Sequence, residues 1–350
     1  MRTLLLSLLF IFIIIGCGQP EPEAYPEWYT NPPKTTTSTL YSIAIDTNET
    51  TAKHSAELVL RSELLKGVQK DFTSKNHPIN QLYTKKDLPE LKKALKYHAA
   101  RLRFEDTTIE EVALKPEDET GSNTANNDED APKITTMVLI SVDSETLFKS
   151  TKKTLNAKIT LFQQRLSISQ QQSALHAYMV LKEIQNQKTS IVFHAELLRI
   201  LDPSFSNKKY FKFLYEMDSL YEILKKEINL SIISDANAIS FVKPIKKALK
   251  AQGLQVSSMK MNAPRSYKLL LTSAVKNDTL YGFKVQRIQI TSRLQKKSKQ
   301  EVAKNVTVFE GKSRYDAKDA RKHALEQYKT QIKQQGIFTI LGISSTIKGN

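Results

Sequence analysis

The residue with the most specific chemistry is Cys17, the only cysteine in the 350-residue chain. It follows a positive charge at Arg2, an apolar run from Leu4 to Ile15, and the small residue Gly16. That order is typical of a secretory signal peptide with a cleavage site. A thiol at this point is the lipid acceptor of the bacterial lipobox, so the sequence predicts a signal peptide over 1–16 and acylation of Cys17. The alternative is an ordinary signal peptide with an accidental cysteine.

Lipid is the only membrane anchor that the sequence predicts. A permanent transmembrane helix needs roughly 20 apolar residues, and the run before Cys17 is shorter. Acyl chains such as palmitate stabilise membrane binding by about 0.8 kcal/mol for each buried methylene. Because Gly18, and not Asp, follows Cys17, we expect sorting to the outer membrane, on either its periplasmic or its outer face.

Charge is distributed unevenly along the chain. Residues 1–132 contain 15 basic and 20 acidic residues, whereas residues 133–350 contain 37 basic and 16 acidic ones. A basic protein in the cytoplasm would be a candidate for nucleic-acid binding, but the predicted export excludes nucleic acid as a partner. The remaining anions are lipid head groups, lipopolysaccharide and wall polymers. Scattered lysines that only keep the surface solvated are the other interpretation.

Sequence motifs for catalysis, cofactor binding or metal binding are absent. The chain has ten glycines and six histidines, but no Gly-rich phosphate loop, nucleophile elbow or paired histidines at metal-ligand spacing. We therefore predict no catalytic residue, no cofactor and no metal site, and a protein that is not an enzyme.

A Pro-rich tether over residues 17–38 is predicted between the lipid and the first module. It contains the only tryptophan, Trp28, followed by Tyr29, Pro32 and Pro33. Prolines disfavour helices and sheet ladders, so we expect an extended conformation.

The predicted fold class is α+β, with two small modules separated by a long helical hairpin. The N-terminal module, residues 39–143, should contain three strands and two helices. The strands are expected over 39–46, 101–112 and 134–142, and the helices from Asn48 to about Phe72 and from Asp87 to His98. Residues 115–132 are rich in Asp, Glu, Asn and Thr, which predicts a disordered acidic loop.

Residues 144–227 are predicted to form the helical hairpin or a small bundle, with packing of the coiled-coil type. Ser144 to Gln187 contains no Gly or Pro, and its apolar residues follow helical spacing, which predicts one long helix. Apolar helices are expected over 191–201 and 210–228. The turn is expected at Asn186 or at Asp202-Pro203.

Residues 228–345 are predicted to form a basic C-terminal module of α+β type. Its strands are expected over 228–234, 267–274, 283–294, 302–313 and 337–341, with helices over 241–251 and 316–334. The order β-α-β-β-β-α-β predicts helices packed on a mainly antiparallel sheet.

Residues 17–142 resemble the LPP-twenty type of bacterial membrane-associated lipoprotein, which is related to the N-terminal module of flagellar envelope proteins. The resemblance lies in the lipobox, the tether residues named above, the strand that follows, and the Ala-rich helix after Asn48. Asp46 and Thr47 depart from it, since glycines are usual there. It implies an outer-membrane lipoprotein that acts by assembly, in some members with the flagellar apparatus. The C-terminal module is similar in element order to the first periplasmic module of the Tol translocation protein, an analogy of fold only.

The sequence as a whole predicts a lipid-anchored envelope lipoprotein with a structural or adaptor role. Its basic C-terminal module would face envelope proteins as partners. The alternative function is binding or carriage of lipopolysaccharide or wall polymer, which would depend strongly on salt because exposed charges are screened over about 10 Å.

Overall fold

A computed structural model describes residues 25–70, 72–74, 76–114, 135–257 and 265–343. The predicted α+β class is confirmed, since these residues form helices and two β-sheets. Cys17 and the acidic loop predicted over 115–132 lie outside the described residues, and both remain predictions.

The internal contacts divide the chain into two compact units. The first contains residues 1–155 and 189–207, and the second contains residues 156–188 and 208–350. The helical segment predicted over 144–227 is divided between the two units. The predicted domain boundaries stay a prediction.

The first unit is built around a small antiparallel sheet. In chain order its elements are α1 (Glu27–Thr30), β1 (Thr39–Asp46), α2 (Glu49–Gln69), a 3₁₀ turn (Pro78–Gln81), α3 (Leu88–Ala99), β2 (Thr107–Leu114) and β3 (Thr136–Asp143). Strand β3 lies between β1 and β2. The predicted strand over 101–112 begins only at Thr107, because the chain leaving α3 first makes a turn.

Helix α2 packs on this sheet through two small residues. Ala52 and Ala56 are fully buried against Val138 and Ile140 of β3. The helix begins where the sequence predicts it. The Asn48 side chain accepts a hydrogen bond from the Thr51 N–H at 3.0 Å, which satisfies a backbone donor that the helix itself cannot pair.

Three long helices follow: α4 (Ser144–Gln172), α5 (Ala174–Leu201) and α6 (Lys208–Glu227). The prediction of one helix over 144–187 is wrong, since the chain reverses at Ser173. There the serine hydroxyl accepts a hydrogen bond from the His176 N–H at 3.2 Å and caps the new helix. The salt bridge between Arg165 and Glu183, with N–O distances of 2.8 and 2.6 Å, joins the two antiparallel helices.

Asn186 lies within α5 and forms no turn. The second predicted turn, Asp202-Pro203, is confirmed after α5.

The second unit contains a five-stranded sheet covered by two helices. Its remaining elements are β4 (Ile228–Ser234), α7 (Ile239–Ala251), β5 (Gln255–Ser257), β6 (Arg265–Leu280), β7 (Phe283–Lys296), β8 (Glu301–Ser313), α8 (Ala317–Gln335) and α9 (Ile337–Ile340). The strand order is β5-β4-β6-β7-β8. Strand β4 runs parallel to β5 and β6, while β7 is antiparallel to both β6 and β8.

Two details of this unit differ from the prediction. Strand β5 is an additional short strand, and the last predicted strand, 337–341, is a helical turn. Gly336 ends α8 with a φ of +83°, a left-handed conformation that glycine adopts without strain. The chain then turns at once, so that Ile337 and Ile340 are both buried.

The core between helices and sheet is aromatic. Phe241 of α7, Phe309 of β8 and Tyr328 of α8 are almost fully buried, and their rings contact one another with centroids 5.0 to 6.4 Å apart. Burial raises the pKa of the Tyr328 hydroxyl. This cluster fixes both helices on the same face of the sheet.

Helix α8 approaches the sheet closely at Gly311. A Cβ atom at this position would lie 1.7 Å from the Ala320 carbonyl oxygen, a distance that no side chain allows. Only glycine therefore lets the backbone of α8 rest on β8.

Candidate functional site

The predicted site residues lie in different regions of the chain. Cys17 is outside the described residues. Trp28 and Tyr29 lie in α1, so the expectation of an extended tether is wrong over 27–30. The helical turn forms because Pro26 precedes it, where its missing N–H costs no hydrogen bond, and its carbonyl accepts from Tyr29 N at 2.9 Å.

The aromatic residues of α1 contact one another. Tyr25 stacks on Tyr29 with ring centroids 5.1 Å apart, and Trp28 meets Tyr29 edge-on at 6.4 Å. Pro32 and Pro33 are exposed directly after the helix. The tether motif is thus a small aromatic cluster, which the sequence indicated only as a Pro-rich segment.

A second feature, which sequence reasoning missed, is a buried charged cluster in the first unit. Glu196 is fully buried and accepts hydrogen bonds from Arg199 Nε at 2.8 Å and from Asn207 Nδ2 at 2.9 Å. His77 Nε2 lies 3.3 Å from the same carboxylate. His77 Nδ1 accepts from the Ile79 N–H, so the imidazole is oriented at both nitrogens. The Glu196 carboxylate is thus surrounded by Arg199, Asn207 and His77. This is the arrangement of an ion pair that stabilises the fold.

The most unusual surface belongs to the second unit, on helix α7. This helix carries four lysines and no acidic residue: Lys243, Lys246, Lys247 and Lys250. Within the described part of the chain none of the four forms an ion pair. Their positive charge therefore faces solvent or a partner.

The start of α7 is fixed to the sheet by Asp235. Its carboxylate accepts hydrogen bonds from the Ser273 N–H and the Ala238 N–H, both at 2.6 Å. Burial alone would raise the pKa of this carboxyl, but these hydrogen bonds outweigh it and hold the pKa below the usual value. The lysines of α7 are thus presented by a helix with a defined position.

A groove of about 560 Å³ runs between α7 and α8, and we call it the α7–α8 groove. Its lips carry lysines from both helices: Lys243, Lys247, Lys329 and Lys333. Its floor consists mainly of apolar residues: Pro244, Ala248, Ala251, Leu325 and Ile332. Glu326 of α8 also lines the groove, and Lys329 pairs with its carboxylate at 2.6 Å. An apolar floor with charged lips suits an amphipathic, acidic ligand.

One end of the groove contains a buried hydroxyl that has no hydrogen-bond partner within the described structure. The Ser240 hydroxyl lines the groove, is shielded from solvent, and forms no hydrogen bond within the described structure. Pro244 has no N–H to donate to the Ser240 carbonyl one turn earlier.

The neighbouring depression on α8 and β8 has a different character. It is lined by residues of both charges, and Glu310 is bound by Arg287 at 2.6 Å and Lys312 at 3.1 Å. The hydrogen bond from Arg287, followed by that from Lys312, lowers the pKa of the Glu310 carboxyl. Its charges are already paired, which makes it a weaker candidate site than the α7–α8 groove.

The described residues offer little for metal chemistry. They contain no group of three or more His, Cys, Asp or Glu side chains that could hold a metal ion. Nor does any helix in the described ranges have the length and apolar content to cross a membrane.

Comparisons with known proteins give only distant likenesses. No family model matches the sequence, and no curated protein matches it. The resemblance of residues 17–142 to the LPP-twenty type therefore stays a prediction.

Among solved structures, a minor lipoprotein from Acinetobacter baumannii is 16% identical over 32% of this chain and 92% of its own length, with a TM-score of 0.26. A secreted protein from Helicobacter pylori is 12% identical over 90% of this chain and 100% of its own, with a TM-score of 0.39. Both TM-scores are too low to carry an argument.

Proposed function

We propose that this protein is a lipid-anchored lipoprotein of the bacterial outer membrane with a structural or adaptor role, in which the second unit holds a basic contact surface for other envelope proteins. The observation that carries the adaptor role is helix α7, whose four lysines have no acidic neighbour on the helix and no ion pair in the described structure. Charges that stabilise a fold are usually paired, and unpaired clusters favour recognition of an oppositely charged surface.

The anchor rests on the sequence around Cys17. We expect palmitate labelling of the full-length chain in cells and its recovery in the outer-membrane fraction. The Cys17→Ser variant should lose both. Labelling that persists in this variant would contradict the proposed anchor.

The adaptor role is tested by crosslinking in intact cells, followed by membrane solubilisation and identification of the captured proteins. The test variant changes Lys243, Lys246, Lys247 and Lys250 to glutamine. A matched control changes four exposed lysines of the first unit, Lys86, Lys92, Lys93 and Lys96. We expect specific envelope proteins to be lost from the test variant and kept in the control. An unchanged set of proteins in the test variant would contradict the adaptor role of this surface.

Binding of lipopolysaccharide or wall polymer is the second candidate function, since unpaired lysines also bind phosphate and carboxylate groups. It predicts direct binding of purified lipopolysaccharide that weakens steeply as salt is raised. The adaptor function predicts weak binding in the same assay.

A further inference from the structure

The residues that line both walls of the α7–α8 groove recur at helical spacing. Pro244, Ala248 and Ala251 of α7 stand at positions i, i+4 and i+7, and residues 325, 329 and 332 of α8 do the same. Each stripe spans about 10 Å along its helix at 1.5 Å per residue. Two facing stripes of this kind form the seam into which a third helix packs its own i, i+3, i+4 and i+7 residues.

The residues of the floor allow close approach. Ala248 and Ala251 are small, while Leu325 and Ile332 are only half-buried and keep apolar surface exposed to the groove. Large side chains of an incoming helix can therefore pack beside the alanines and contact the leucine and isoleucine. This combination favours leucine-sized anchors on the ligand.

Positive charge follows the groove on both sides. Lys243 and Lys247 are one turn apart on one lip, and Lys329 and Lys333 are one turn apart on the other. Lys243, Lys247 and Lys333 are exposed and form no ion pair in the described structure. Carboxylates spaced along a helix match two such rows, whereas a single lipid head group would engage only one end.

We propose that the α7–α8 groove binds an acidic amphipathic helix of a partner protein. Its apolar residues pack on the floor, and its glutamates or aspartates pair with Lys243 and Lys247 on one lip and with Lys333 on the other. The inference rests on the proposed adaptor function and names the chemistry of the contact.

The probe for this proposal is a synthetic helical peptide with leucines at i, i+3, i+4 and i+7 and glutamates flanking them. It is titrated against the full-length chain held in phosphatidylcholine nanodiscs. We expect binding that weakens as sodium chloride is raised. A peptide with glutamine in place of glutamate should bind at least about tenfold more weakly. Equal binding of the two peptides would overturn the proposal.

Charge reversal on the protein gives a matched comparison on one helix. Lys243→Glu with Lys247→Glu should weaken binding at least about tenfold, since two lip lysines become repulsive. Lys246→Glu with Lys250→Glu makes the same change in net charge on α7, at positions that do not line the groove, and should weaken it less than about threefold. Equal losses in both variants would show a non-specific charge effect and overturn the proposal.

Filling the groove tests the apolar contact independently of charge. Ala251 is exposed and lines the groove, whereas Lys250 beside it is exposed and does not. Ala251→Trp should abolish peptide binding, whereas Lys250→Trp should weaken it less than about threefold, with both proteins folded by circular dichroism. Peptide binding that survives Ala251→Trp would overturn the proposal.

A lipid occupant is distinguished in a further arm of the experiment. The chain is mixed with phosphatidylcholine vesicles with and without phosphatidylglycerol. One outcome would overturn the proposal in favour of a membrane surface. In it, the chain binds the anionic vesicles but not the acidic peptide, and the Lys243→Glu, Lys247→Glu variant loses the binding to vesicles. If that variant still captures the same envelope proteins in cells, the groove inference fails while the adaptor function stands.

Discussion

Helix α2 of the first unit and helix α8 of the second are built alike where they meet their sheets. Each begins at a capping side chain, Asn48 or Asp316, that accepts a hydrogen bond from the backbone N–H three residues later. Each then buries two alanines four residues apart, Ala52 and Ala56 in α2 and Ala320 and Ala324 in α8. Beneath α2, however, lie valine and isoleucine side chains, whereas beneath α8 lies Gly311.

Charged residues on α2 and on α7 differ in whether they have partners within the fold. On α2, Arg61 binds the Glu57 carboxylate at 3.0 Å and the Leu102 carbonyl at 2.8 Å, so its charge serves the fold. On α7, which packs beside α8, the lysines have no such partners. The difference therefore lies between two helices: the charge of Arg61 on α2 is paired within the fold, whereas the lysines of α7 form no ion pair in the described structure.

The largest expected loss of stability is at Gly311, where α8 lies directly on the backbone of its sheet. Gly311→Val should destabilise the second unit by more than about 3 kcal/mol, because α8 must move away from β8. Hydrogen exchange of peptides from β8 and α8 measures this. In the control Gly282→Ala, the added Cβ meets nothing within 4 Å, and only the left-handed backbone at that turn should cost about 1 kcal/mol. Wild-type protection in Gly311→Val would contradict the close contact.

The second-largest expected effect tests whether the buried Glu196 stabilises the first unit. Glu196→Ala should destabilise that unit by about 3 to 5 kcal/mol, since it removes the buried carboxylate that accepts from Arg199 and Asn207. Lys247→Ala on α7 should change stability by less than about 0.5 kcal/mol. Urea denaturation measures both free energies of unfolding. Similar losses of stability in the two variants would contradict the contrast between the buried Glu196 and the exposed Lys247.

The helix caps test the similarity between α2 and α8. Asn48→Ala and Asp316→Ala should each cost about 1 kcal/mol, because each removes the acceptor for one N–H at the helix start. Asn48→Asp and Asp316→Asn keep an acceptor and should cost less. Calorimetry of the four variants provides the measurement. A large effect at one cap and none at the other would show that the likeness is only apparent.

The smallest expected effect is a pH dependence at His176. Burial first, and then the charge of Lys296, lower the pKa of its imidazole from the ordinary 6.5. The unfolded chain therefore binds a proton more readily than the folded one. The stability contributed by neutral His176 is full above about pH 6.5 and is lost as the pH falls below it. His176→Gln should show a smaller loss of stability between pH 7 and 5, and an unchanged slope would contradict this assignment.

The sequence predicted those elements that local chemistry determines. The start of α2 follows from Asn48, and the end of α8 from Gly336, because capping and left-handed turns need particular residue types. The reversal at Ser173 was missed because serine in a long polar-apolar repeat is compatible with an uninterrupted helix. The turn at 337–340 was missed because a short apolar run fits a strand and a buried helix equally well.

The candidate site was predicted only in part. The basic character of residues 228–345 is a matter of composition, but the groove depends on α7 and α8 lying side by side, which packing of Phe241, Phe309 and Tyr328 determines. The Glu196 cluster joins residues far apart in the chain, and no local signal marks it. Composition therefore indicated the positive charge of residues 228–345 and not the shape of the α7–α8 groove.

The most direct test of the account is a photo-reactive amino acid placed at Ala251 in the α7–α8 groove and, separately, at Leu58 on the exposed side of α2. Intact cells expressing the full-length chain are irradiated, and the adducts are identified. The account predicts a discrete envelope-protein adduct from position 251, lost when Lys243→Glu and Lys247→Glu are added, and none from position 58. Identical adducts from both positions, or only lipid at position 251, would contradict it.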